Sequence, residues 1–207
     1  MAIEAIRNKT PEQLRAAVSG FAVRYVEDWE AWLAARRDAR PELFGRILRR
    51  WQATRPLAMR RLKVEAEHGA PFLDDLLESA ADPLFTLGDL TLLTLPQRAP
   101  GQEEALTALW HIFSQLPTSG SASGVGISKA ILLLTDGRIG PAFDSQVRAK
   151  LGLGRSMTCR EWLRALEDIA EDIAIFESAH GALAKVVSAR FAQLAYGRLY
   201  DMALGPR

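Results

Sequence analysis

The chain has 207 residues, a mass of 22.8 kDa, a formal net charge of +1 and a hydrophobic fraction of 48%, enough to bury a core without a metal or disulfide staple. Its single cysteine, Cys159, excludes an internal disulfide, a cysteine zinc site and an iron–sulfur cluster, and points to a reduced intracellular compartment. No apolar run approaches the ~20 residues that cross a bilayer and no leader pattern opens the chain, so a cytoplasmic protein without a membrane segment is expected.

Thr10-Pro11-Glu12-Gln13 combines an N-cap threonine, a first-turn proline and a capping-box glutamine, which predicts the start of a long helix. Leu14, Val18, Phe21, Tyr25, Trp29 and Trp32 recur at steps of three and four, a core-facing stripe rather than a set of ligand contacts. Pro41 and Pro56 open further helices, the first with Leu43, Ile47, Leu48 and Trp51 on its buried side and arginines opposite. Gly69-Ala70-Pro71 breaks the pattern. A short acidic helix over 72–79, the Asp82-Pro83 break and a second short segment over 86–95 follow.

After Pro100-Gly101 comes a helix with the apolar stripe Leu106, Leu109, Trp110, Phe113 and Leu116, then a loop over 117–124. Lys129-Ala-Ile-Leu-Leu-Leu consists of good helix formers and is assigned to a helix. Gly152-Leu-Gly154 reads as a helix stop. Thr158-Cys-Arg-Glu161 is a second capping box, leading Trp162, Leu166, Ile169 and Ile173. His180-Gly181 breaks it. A last long helix carries Leu183, Val187, Leu194 and Leu199, with Arg190 and Arg198 on its polar side.

The sum is an all-α protein of about eight to ten helices. It forms one compact multi-helix domain over 1–207 or two helical lobes. The charges are segregated: Arg36, Arg37, Arg40, Arg46, Arg49, Arg50, Arg55, Arg60, Arg61 and Lys63 stand against only Asp38 and Glu42. Residues 64–97 lack lysine and arginine but carry Glu65, Glu67, Asp74, Asp75, Glu78, Asp82 and Asp89. Either the basic segment faces a polyanion or the two segments pair with each other. His68, His111 and His180 have no metal-ligand spacing, so no metal or cofactor is expected.

One stretch carries a hint of chemistry: GVGISKAILLLTDGRIGPAFDSQVR, from Gly124 to Arg148. A glycine turn at the start of a helix lets a phosphate approach the main chain, where N–H groups and the helix dipole hold it. Such contacts position a nucleic-acid backbone without reading sequence. The stretch resembles the helix-hairpin-helix superfamily of DNA glycosylases, in which a Gly-Val-Gly hairpin is followed by a lysine and then, after a further turn, by an aspartate. The hairpin falls on Gly124-Val125-Gly126, within a motif at about 106–135, the lysine on Lys129 and the aspartate on Asp144. Lys129 stands one residue later than the family lysine, a rotation of about 100° that puts Ser128 in its neighbourhood.

The resemblance implies DNA as the partner, with Gly124, Val125, Gly126, Ser128, Arg138 and Arg148 on its backbone and Asp144 and Lys129 as catalytic candidates. Asp144 would stabilise positive charge on the deoxyribose as the glycosidic bond breaks or activate the nucleophile, and Lys129 would attack the sugar carbon. The base would first leave the duplex. Bland readings stand beside these: Asp144 as a plain helix N-cap, Lys129 as a solvated lysine or phosphate contact, the glycines as a loop without a ligand. Three functions follow: a DNA repair N-glycosylase, a non-catalytic DNA-backbone binder, or a helical module that binds protein.

Overall fold

The structure, a computed structural model, describes residues 3–54, 73–116, 123–154 and 156–206. Among these it is all-helical, without a strand. The helices are α1 (Pro11–Ser19), α2 (Val23–Ala34), α3 (Arg40–Arg50), α4 (Leu73–Leu87), α5 (Pro100–Phe113), α6 (Gly124–Leu134), α7 (Ser145–Lys150), α8 (Cys159–His180), α9 (Leu183–Val186) and α10 (Tyr196–Leu204). Both capping boxes form, with the Thr10 and Thr158 hydroxyls accepting from Gln13 N–H and Glu161 N–H at 3.3 Å.

The architecture is centred on α6. Gly126 through Leu133 are all buried, the mark of a helix surrounded by others rather than laid on a surface. α3 and α5 pack against it, and α4 packs on α5. The C-terminal α10 packs on α1 and α7. The tryptophans of the first stripe are core residues as expected, Trp29 and Trp32 being buried. Asp172 of α8, fully buried, accepts from the N–H groups of Ile6 and Arg7 at 2.9 and 3.0 Å and from the Tyr200 hydroxyl at 2.8 Å. One carboxylate thus fastens the start of the chain to α8 and α10.

Three helix predictions are corrected. The long helix from Thr10 is two helices: Gly20 caps α1, and Phe21 N–H turns back to Val18 O at 3.3 Å before α2 begins. The stripe survives because both pieces face the same core. The acidic helix does not stop at Asp82-Pro83; Pro83 lies inside α4, and the short segment expected over 86–95 is the end of α4 followed by turns and irregular chain over 88–94. The final helix is broken into α9, a 3-10 turn over Ala189–Phe191 and α10, with Val187 extended between the first two. Arg198, expected on a polar face, is 1% exposed. The predicted helix opening at Pro56 and the break at 69–71 lie outside the described residues.

Candidate functional site

Gly124-Val125-Gly126 forms the first turn of α6 itself rather than a turn ahead of it. Ser123 gives no side-chain cap, and the first amide bonded to it is Ile127 N–H on Ser123 O at 3.1 Å. The three N–H groups before it have no acceptor outside the helix among the described residues, as expected at an uncapped N-terminus. Packing also explains the glycines. A Cβ on Gly126 would lie 2.9 Å from the Ala53 carbonyl oxygen, and one on Gly124 3.1 Å from Met157 Cβ. The close approach that the glycines permit is therefore to protein backbone and side chain. Residues 117–122, which complete the connection from α5, lie outside the described residues.

Further along α6, Ser128 and Lys129 are buried. The Ser128 hydroxyl donates to Val125 O at 3.2 Å and accepts from Phe143 N–H at 2.9 Å. It therefore holds the loop that leads to Asp144. Lys129 reaches the other way. Its Nζ donates to Trp51 O at 2.5 Å, at the end of α3. Burial lowers its proton affinity below that of an ordinary lysine, against the opposing pull of the Asp144 and Asp201 carboxylates.

Asp144 is the N-cap of α7. One oxygen, Oδ1, accepts from both Gln146 N–H and Val147 N–H at 2.9 Å. Among the described residues Oδ2 accepts no hydrogen bond. The cap thus occupies half of the carboxylate.

Lys129 and Asp144 line the same small cleft. Phe21, Tyr25 and Trp51 give it aromatic walls, and Arg198 and Asp201 of α10 close its inner side. Its volume of about 20 Å³ holds roughly one water molecule.

The residues of α10 in this cleft were not singled out from the sequence. The Arg198 guanidinium donates through Nη1 to Asp201 Oδ2 at 2.6 Å and through Nη2 to Tyr25 O at 3.0 Å. It lies over the rings of Trp29 and Phe21 at 4.6 and 4.8 Å. Asp201 Oδ1 accepts from Ala142 N–H at 3.2 Å. Burial, only partly countered by Arg198, pushes the Asp201 carboxyl up to about 6. A polar pair three residues apart in the otherwise apolar run YGRLYDMAL was the available signal, since such a pair in a buried helix must satisfy itself.

Two candidates fall away from the cleft. Arg138 uses Nε on Thr135 O at 3.2 Å and Nη1 on Leu90 O at 3.3 Å and on Gly88 O. It ties the turn after α6 to the chain after α4. Arg148 donates to Asp144 O at 3.4 Å and Gly154 O at 3.2 Å, bracing α7 and the turn that follows. Among the described residues no group of histidines, cysteines and carboxylates could hold a metal ion, and no helix is long and apolar enough to cross a membrane. No protein-family model matches the chain, and neither a curated protein nor a solved structure shows detectable similarity to it.

Proposed function

We propose that the protein binds DNA in the manner of the helix-hairpin-helix glycosylases and uses the Lys129–Asp144 cleft on the deoxyribose of an extruded nucleotide. The observation that carries this reading is that a desolvated lysine and a carboxylate with one unbonded oxygen line a single aromatic-walled cleft. A lysine kept from its full proton affinity is a competent nucleophile, and a carboxylate near an oxocarbenium-like centre stabilises the charge that develops there. Tyr25, partly exposed among the three aromatic side chains of the cleft, offers a stacking surface for a base leaving the duplex. Arg24, exposed beside the cleft with its Nη2 on the Tyr25 hydroxyl at 2.8 Å, and the uncapped amides of α6 supply phosphate contacts.

A second reading, non-catalytic DNA-backbone binding, is favoured by the cap itself: Asp144 and Lys129 each have a structural partner that accounts for their position. Incubation with duplexes carrying uracil, alkylated, oxidised or mispaired bases separates the two. Base release by the wild type and its loss in Asp144→Asn supports the enzyme. Salt-dependent binding without release on any duplex supports the binder. Absence of any binding at low salt leaves a protein-interaction module.

A further inference from the structure

The loop between α6 and α7 carries Asp144 into the cleft, and two side chains from outside that loop hold its backbone. Ser128 accepts from Phe143 N–H at 2.9 Å and Asp201 accepts from Ala142 N–H at 3.2 Å. The two bonds differ in kind. Ser128 is neutral at every pH of interest, whereas Asp201 is an ionisable group joined to a buried guanidinium. Its other oxygen is 2.6 Å from Arg198, which spans to Tyr25 O on α2 and lies among Phe21, Trp29 and Trp51.

We propose that Asp201 is the positioning residue of the cleft: its carboxylate locks the Asp144-bearing loop to α10 through Ala142 N–H and places a negative charge beside Lys129, so that the Ala142 end of the loop is held most tightly while Asp201 is ionised. This rests on the reading of the Lys129–Asp144 cleft as the working site.

Among the described residues, the charged groups that act on Asp201 set this behaviour. Arg198 on its own helix favours the ionised form, as does Lys129 on α6. Asp144 on the loop opposes ionisation, and burial opposes it more strongly than any neighbour. Asp28 on α2 acts on Arg198 and is itself paired to Arg50 of α3 at 2.7 Å. Lys150 of α7 is engaged with Leu204 O at 2.6 Å, and Arg15 of α1 with Val186 O at 2.9 Å. The balance puts the Asp201 carboxyl at about 6, within reach of mild acid. A charge-assisted hydrogen bond is roughly twice as strong as a neutral one, so protonation weakens the hold on Ala142 without touching the Ser128 bond.

Amide hydrogen exchange on the wild-type chain reads this directly. Between about pH 7.5 and about pH 5, after correction for intrinsic exchange, the Ala142 amide should lose roughly tenfold protection while the Phe143 amide keeps its own. Equal loss at both amides, or no loss at Ala142, overturns the proposal. In Asp201→Asn, provided it folds, Lys129 should be acylated severalfold faster than in the wild type at about pH 7.5, relative to the exposed Lys185, because a carboxylate that favours its ammonium form is gone. An unchanged ratio also overturns it. The wild-type exchange stands alone if the variant does not fold. Neither measurement contains DNA, so both can succeed where the base-release assay fails, and the failure of either reading is told apart from that of the other.

Discussion

The Lys129 ammonium and the Trp51 carbonyl meet at 2.5 Å across 78 residues of sequence, inside a protein where most lysines would be at the surface. The bond joins the middle of α6 to the end of α3 and turns the amine into the cleft it shares with Asp144. Lys129 and Asp144 thus line one cleft although they stand 15 residues apart. A buried cation with one backbone acceptor among the described residues is costly to hold, and that cost is measurable.

Lys129 binds its proton less tightly in the folded state than the ordinary value of 10.5. In the pH range between the two values the unfolded chain carries more protons, so stability rises with pH. The urea-unfolding free energy of the wild type should therefore gain on that of Lys129→Met as pH climbs from neutral toward that ordinary value. A constant difference would show that the lysine is not desolvated in solution.

Asp201 gives the opposite slope. Its folded value of about 6 lies above the ordinary 3.8, so its contribution to stability is fully present below the unfolded value and is lost as pH rises through the folded one. Relative to Asp201→Asn, the wild type should lose stability between these two values. Removing the acid also strands the Arg198 guanidinium, a loss of about 3–5 kcal/mol at neutral pH in comparable buried pairs. Equilibrium melts at several pH values check both.

How far the chain could be read in advance depended on whether the cause was local. The capping boxes at Thr10 and Thr158, the first-turn prolines Pro41 and Pro100 and the helical stripe of α5 act within a few residues and were legible. The break at Gly20, beside which Ala22 N–H donates to Pro206 O, and the division of the last helix, where Arg198 N–H donates to Gly137 O, involve partners far away in sequence and were not; nor was the continuation of α4 through Pro83. The same holds for the site. Lys129 and Asp144 stood out by motif, whereas Arg198 read as a solvated residue because its partners Tyr25, Phe21 and Trp29 come from the other end of the chain. Asp201 gave no signal beyond its spacing from Arg198.

Gly126→Ala should cost about 1–3 kcal/mol, because its Cβ would sit 2.9 Å from a backbone oxygen and force α6 away from Ala53. Thermal melts give this number, and a neutral substitution would contradict the packing explanation of the glycine.

Ser128→Ala leaves Phe143 N–H without its buried acceptor, a loss of about 1–3 kcal/mol. Because that bond holds the loop before Asp144, DNA processing should fall together with stability. Loss of stability alone would place Ser128 outside the working site.

Asp144 separates its two roles by substitution. Asparagine caps a helix about as well as aspartate, whereas alanine costs about 1 kcal/mol. Asp144→Asn should keep the wild-type melting temperature and lose base release; Asp144→Ala should lose both. Retained base release in Asp144→Asn would assign the carboxylate to capping only.

The most direct test is borohydride trapping on a duplex with one abasic site. There the Lys129 amine adds to the sugar aldehyde carbon, water leaves, and hydride reduces the resulting imine to a stable amine. The cleft reading predicts a covalent protein–DNA adduct mapped to Lys129, formed well above the level seen with Lys129→Met. An equal, slow background in both proteins would contradict it and leave Lys129 as a structural tie to Trp51.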